Sequence, residues 1–142
     1  MVDREILATR LSKLRDALRK LRPIAAKSRQ DYLASEVDRA LSEHYLRLAL
    51  EAALDAGNHV IASEGFRKPL KLRDIPLILA EHKMIPAELS RKLASAVGLR
   101  NRLVHGYAEI DHDRLYNLLA AALRDLEEFA ILLGRTYAPP EA

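Results

Sequence analysis

The strongest constraint on this chain is a leucine stripe near its start. Leu7, Leu11, Leu14, Leu18 and Leu21 recur at alternating steps of four and three, with Arg, Lys, Asp and Ser among the residues between them. Such spacing puts one apolar face on a helix and cannot serve a strand, whose period is two. The stripe predicts a helix from Asp3, a capping residue, to about Arg22. Pro23 is expected to stop it, because proline cannot continue the hydrogen-bond ladder.

The rest of the sequence repeats the theme. A long helix is predicted over Gln30 to Ala62, with one stripe through Leu33, Val37, Leu41, Tyr45, Leu48, Ala52, Ala56 and His59. A second stripe through Leu46, Leu50, Leu54 and Ile61 predicts burial on more than one side, as in a central helix. Gly65 and Pro69 punctuate the stretch that follows. Asp74 opens a short helix to about Glu81, and Pro86 opens another to Val97, after which Gly98 allows a bend. Asp111 caps a last helix with Leu115, Leu118, Leu119, Ala122, Leu126, Phe129 and Leu133 on its core face. Gly134 and Pro139-Pro140 are expected to end it. The expected fold is all-α: an up-and-down bundle of four main helices plus one short helix. Residues 1–138 form a single domain, and 139–142 a short tail.

Composition removes whole classes of function. The chain has 142 residues and no cysteine, so disulfides, thiolate nucleophiles and cysteine zinc sites are excluded. No apolar run reaches membrane-spanning length, and Met1-Val2-Asp3-Arg4-Glu5 is charged, unlike a signal peptide, so a cytoplasmic protein is expected. Lys plus Arg is 23 against 20 for Asp plus Glu, a net +3 that permits an anionic partner without demanding one.

One segment departs from the bland bundle: Gly98-Leu99-Arg100-Asn101-Arg102-Leu103-Val104-His105-Gly106-Tyr107. Histidine exchanges protons near neutral pH, and arginine supplies a permanent planar charge matched to phosphate. Metal-free cleavage of an RNA phosphodiester needs such groups: a base for the 2′-hydroxyl, an acid for the leaving oxygen, and a cation for the pentacoordinate charge. In a regular helix Arg100 and His105 point roughly 140° apart, whereas Asn101 and His105 share a face. Three arrangements reconcile this: a helix interrupted near Gly98 or Gly106, a long Arg100 side chain that sweeps round, or a cleft completed by a second protomer.

Arg100, four intervening residues, His105, one residue and Tyr107 resemble the R-x4-H-x-Y signature of the HepT-like branch of the HEPN superfamily. Asn101 also matches the usual polar residue after the arginine. The likeness extends along nearly the whole chain, to the long helix with Glu51, Asp55, Asn58 and His59, the Gly65-to-Pro69 break, and Ile110-Asp111 before the last helix. The resemblance implies a metal-independent endoribonuclease toxin, acting as a homodimer on RNA and needing no cofactor. By that analogy Arg100 and His105 are catalytic and Asn101 positions the phosphate. Arg102 either adds to the RNA-binding field as a second phosphate-positioning group or is a solvated, ion-paired charge. It also implies a partner, an MntA-like nucleotidyltransferase antitoxin that neutralises the toxin by adenylylating Tyr107. The alternative is a non-catalytic HEPN module that binds a nucleotide or docks a nucleotidyltransferase; it has no need of an intact Arg100/His105 pair.

Other polar groups have plainer readings. Glu51, Asp55 and His59 share a helix face and are either metal ligands or members of a hydrogen-bond network. The network is favoured, because no second helix offers a matching Glu-x-x-His. His44, His82 and His112 read as ordinary surface or core residues. Arg15, Arg19, Lys20 and Arg22 read as a solvated face; the alternative is an extension of an RNA-binding surface.

Overall fold

In this computed structural model the described residues are 2–105 and 110–137, less the side chains of Val104 and His105. They form six helices and no strand: α1 (Arg4–Ala25), α2 (Arg29–Ala34), α3 (Glu36–Glu64), α4 (Asp74–Glu81), α5 (Ala87–His105) and α6 (His112–Thr136). The expected all-α bundle is therefore present, with two short helices among the described residues rather than one.

α3 is the central element. It packs against every other helix, most extensively against α1, while α4 and α5 pair with each other on another of its sides. The core is aliphatic, with Leu7, Leu14, Leu18, Leu21, Leu46, Val60, Ile78, Leu119 and Leu133 almost wholly enclosed. Burying each such side chain contributes about 1.5–3 kcal/mol. Small residues on α3 (Ala49, Ala53, Ala56, Gly57) let its neighbours close in, and a Cβ at Gly57 would lie 2.8 Å from Ile75 Cγ2 of α4.

The helix starts follow the predicted caps. The Asp3 carboxylate accepts from the backbone N–H of Glu5 and Ile6, and Asp111 accepts from that of Arg114. α4 spans Asp74–Glu81 as expected, and Gly65 closes α3 in the left-handed conformation at φ 71°. Pro86 sits one residue before α5, its carbonyl accepting from Ser90 N–H.

Several boundaries differ from the sequence expectation. Pro23 lies inside α1, which runs on to Ala25. Proline there costs the Arg19 carbonyl its partner, but the bond from Ala26 N–H to Arg22 carbonyl and the burial of Ile24 carry the last turn through. The long second helix is two helices, because Ser35 is extended (φ −103°, ψ 105°) and its hydroxyl accepts from Asp38 N–H as the cap of α3. α5 does not bend at Gly98; Leu93 and Val97 are buried before it, Leu99 and Leu103 are half-buried after it, and the apolar period is unbroken. Gly134 likewise lies within α6, where it faces α1. Pro139 and Pro140 lie outside the described residues.

The two predicted stripes of α3 also fare differently. Val37 is 66% exposed and Leu41 also faces out. The inward face there consists of Asp38, Ser42 and Leu46, since Asp38 pairs with Lys27 and Ser42 meets the enclosed Tyr32 hydroxyl at 2.8 Å. Satisfied polar groups took the buried face, which an apolar pattern cannot reveal. The second stripe is buried as expected at Leu46, Leu50 and Ile61, with Leu54 half-buried against the core, and on α6 Leu118 is exposed instead of joining the core face.

Candidate active site

The last two turns of α5 carry the residues singled out by the sequence. Because the helix is continuous through Gly98, Arg100 and His105 belong to one regular element, separated by about 7.5 Å of rise and roughly 140° of rotation. Of the three arrangements, a break at Gly98 is therefore removed. The His105 side chain lies outside the described residues, as do Gly106 and Tyr107 altogether.

Arg100 faces inward toward α3. Its side chain is 21% exposed, with Nη2 3.4 Å from Glu51 Oε1 and Nη1 donating to Asn101 Oδ1 at 3.1 Å. The Arg100 Nε is buried and has no hydrogen-bond partner among the described residues. Asn101 and Arg102 are both exposed, and Arg102 makes no ion pair among the described residues. The structure thus joins Arg100 to Asn101 and leaves Arg102 on the solvent side. Two positions apart, the two cations leave α5 roughly 160° from each other, Arg100 toward α3 and Arg102 toward solvent.

The group Glu51, Asp55 and His59 does not act as a unit. Glu51 meets Arg100 and Arg47, Asp55 is exposed, and the buried His59 Nε2 has no partner among the described residues. Within one chain the three do not form a buried network among the described residues: Asp55 faces water, and Glu51 turns to arginines on two elements. Among the described residues no group of His, Asp and Glu could hold a metal ion. The pairing of Glu51 with Arg100 had no signal in the sequence, since the two lie 49 positions apart.

The described residues resume at Ile110, just before α6. Ile110 packs on the core, Asp111 caps the helix, and His112 Nε2 lies 2.8 Å from Glu43 Oε2 of α3. His112 is thus tied to Glu43, and His82 stacks on Phe66 with ring centroids 3.6 Å apart. The basic face of α1 is largely engaged locally: Arg19 with Asp16, Arg22 with Glu127, and Lys20 over the Tyr45 ring. No helix among the described residues is long and apolar enough to cross a membrane.

Comparison with known proteins bears directly on this segment. Residues 14–133 match the family described as ribonuclease HepT-like. A tRNA nuclease HepT from Aphanizomenon flos-aquae (strain 2012/KM1/D3) is 30% identical over 119 residues, covering 84% of this chain and 81% of that protein. An mRNA nuclease HepT from Shewanella oneidensis is 34% identical over 84 residues, covering 59% of this chain and 63% of that protein. A solved structure of a tri-AMPylated Shewanella oneidensis HEPN toxin in complex with MNT antitoxin shares the fold. It superimposes with a TM-score of 0.83 at 24% identity, covering 92% of this chain and 97% of that one. With a family match spanning most of its length and the Arg100–His105 segment at the end of α5, this chain belongs to the HepT-like ribonuclease family.

Proposed function

We propose that this protein is a metal-independent endoribonuclease toxin whose reaction is carried by Arg100 and His105. Membership of the ribonuclease family makes it an RNA-cleaving enzyme. The observation that supports the assignment of roles is the largely enclosed Arg100 guanidinium, whose Nε meets no partner among the described residues, on the same helix as His105. His105 takes the proton of the 2′-hydroxyl, the 2′-oxygen attacks phosphorus, and the 5′-oxygen departs with a proton from an acid. Arg100 carries the charge of the pentacoordinate phosphate, and Asn101 and Arg102 position it. The helical geometry points Arg100 and His105 apart, which favours a homodimer in which each chain contributes to a shared cleft. Two imidazoles across a two-fold axis supply both the base and the acid.

The same reading includes a partner. A nucleotidyltransferase antitoxin adenylylates Tyr107, two residues beyond His105, and the added phosphates compete with RNA for the arginines. The relative solved as an AMPylated toxin with its antitoxin supports this control for the present chain.

Expression of the wild type beside Arg100→Ala and His105→Ala, with RNA cleavage scored in chelator, tests the enzyme. Each substitution is expected to cut the rate by about a hundredfold or more. A folded wild type inert on RNA sinks the reading, and cleavage abolished by chelator sinks its metal independence. Intact-mass analysis after treatment with a nucleotidyltransferase of the MntA type and ATP is expected to show adenylate increments that vanish in Tyr107→Phe. Sedimentation of the wild type is expected to give a dimer.

A further inference from the structure

Glu51 lies where α3 meets the Arg100 end of α5. Its Oε1 is 3.4 Å from Arg100 Nη2, and its two oxygens are 3.5 and 3.4 Å from Nη1 of Arg47, one turn earlier on α3. Both separations exceed the roughly 2.7–2.9 Å of a charge-assisted hydrogen bond. The carboxylate therefore sits between two guanidiniums and is held firmly by neither. A guanidinium as enclosed as that of Arg100 ordinarily satisfies its buried donors, yet its Nε meets no partner among the described residues. On its other side Glu51 lines an open groove of about 460 Å³ between α1 and α3, beside Arg10, Lys13 and Lys20. The carboxylate has room to withdraw from α5.

We propose that Glu51 is a displaceable counter-ion. It holds the Arg100 guanidinium in the free protein and yields it to a phosphate of the RNA, then remains paired with Arg47. This rests on the reading of Arg100 as the phosphate-binding group. A phosphate engages a guanidinium through two parallel hydrogen bonds, whereas Glu51 offers one long contact, so the exchange runs toward the substrate. Arg47 keeps the released carboxylate from becoming an unpaired, half-buried charge. Glu51 is a positioning residue in this scheme, acting on RNA only through Arg100.

The test compares the wild type with Glu51→Gln and Arg47→Met. The readouts are binding of a non-cleavable 2′-O-methyl RNA oligonucleotide and, on unmodified RNA, KM against kcat. Removing the competing charge in Glu51→Gln is expected to tighten oligonucleotide binding about fivefold and to lower KM by more than it changes kcat. Arg47→Met leaves the carboxylate with Arg100 alone and is expected to weaken binding about threefold. A Glu51 that merely props up Arg100 predicts the reverse split, with lower kcat and binding unchanged or weaker in Glu51→Gln; that result overturns the proposal. If Glu51→Gln fails to fold, binding by Arg47→Met that is unchanged or tighter overturns it instead. A wild type that shows the binding pattern without cleaving RNA sinks the ribonuclease mechanism alone. Cleavage with binding indifferent to both substitutions, or no oligonucleotide binding by any form, sinks the counter-ion.

Discussion

Two glycines in helix interiors illustrate how neighbours decide the worth of a residue. Gly57 lies beneath α4, and a Cβ there would fall 2.8 Å from Ile75 Cγ2 and 3.2 Å from Leu79 Cδ1, both buried. Gly98 on α5 has nothing within 4 Å of the same position. Alanine favours a helix over glycine by roughly 1 kcal/mol, while overpacking a filled core costs about 1–3 kcal/mol. Gly98→Ala is therefore expected to raise stability by up to about 1 kcal/mol, and Gly57→Ala to lower it by about 1–2 kcal/mol, as read by urea unfolding. Equal changes in the two would contradict the close approach of α3 and α4. Both glycines are plain in the sequence; only the helix opposite distinguishes them.

At the level of elements, the junction between α2 and α3 turns on one hydroxyl. Ser35 caps α3 through Asp38 N–H, and its own N–H donates to the Tyr32 carbonyl at the end of α2. Ser35→Ala is expected to cost about 1 kcal/mol, checked by thermal melting, with α2 as the first segment to gain in amide exchange. Charged groups hold other ends. The Lys27 ammonium keeps the Asp38 carboxyl below its ordinary range, and the backbone N–H groups of Lys71 and Leu70 do the same for Asp74. A carboxyl depressed in the folded state stabilises above its unfolded value, and that contribution disappears as pH falls through the folded one. The melting temperature is thus expected to fall below about pH 4, and Asp74→Asn to shrink that acid-side drop; an identical drop in the variant would exclude Asp74 as a source.

The whole molecule is a scaffold that brings the end of α5 against the middle of α3. Arg100 is held by residues of its own helix and of α3, while α6 begins just beyond the motif, tied back by the contact of His112 with Glu43. The catalytic variants proposed above test the residues that α5 carries, and Glu51→Gln the α3 carboxylate against Arg100. If the paired chains share one cleft, a heterodimer carrying Arg100→Ala in one chain and His105→Ala in the other is expected to regain part of the activity that either homodimer loses. Activity no higher than in the single variants would remove the shared cleft.

What the sequence determined by itself is local. Leucine spacing, Asp3, Gly65, Asp74 and Asp111 specify helices and their ends because periodicity and capping depend on residues a few positions apart. The Arg100–His105–Tyr107 spacing is local too, so the family was legible in it. The tertiary structure decided what depends on partners distant in the chain. Pro23 and Gly98 were carried through by packing, and Val37 was turned outward by the satisfied pairs of Asp38 and Ser42. Glu51 keeps a contact with Arg47 of its own helix and adds one with an arginine 49 residues away. Hydrogen-bond satisfaction and charge neutralisation of buried groups are properties of the assembled core: even the nearer partners, Lys27 with Asp38 and Tyr32 with Ser42, meet across the α2–α3 junction, which neither periodicity nor capping describes.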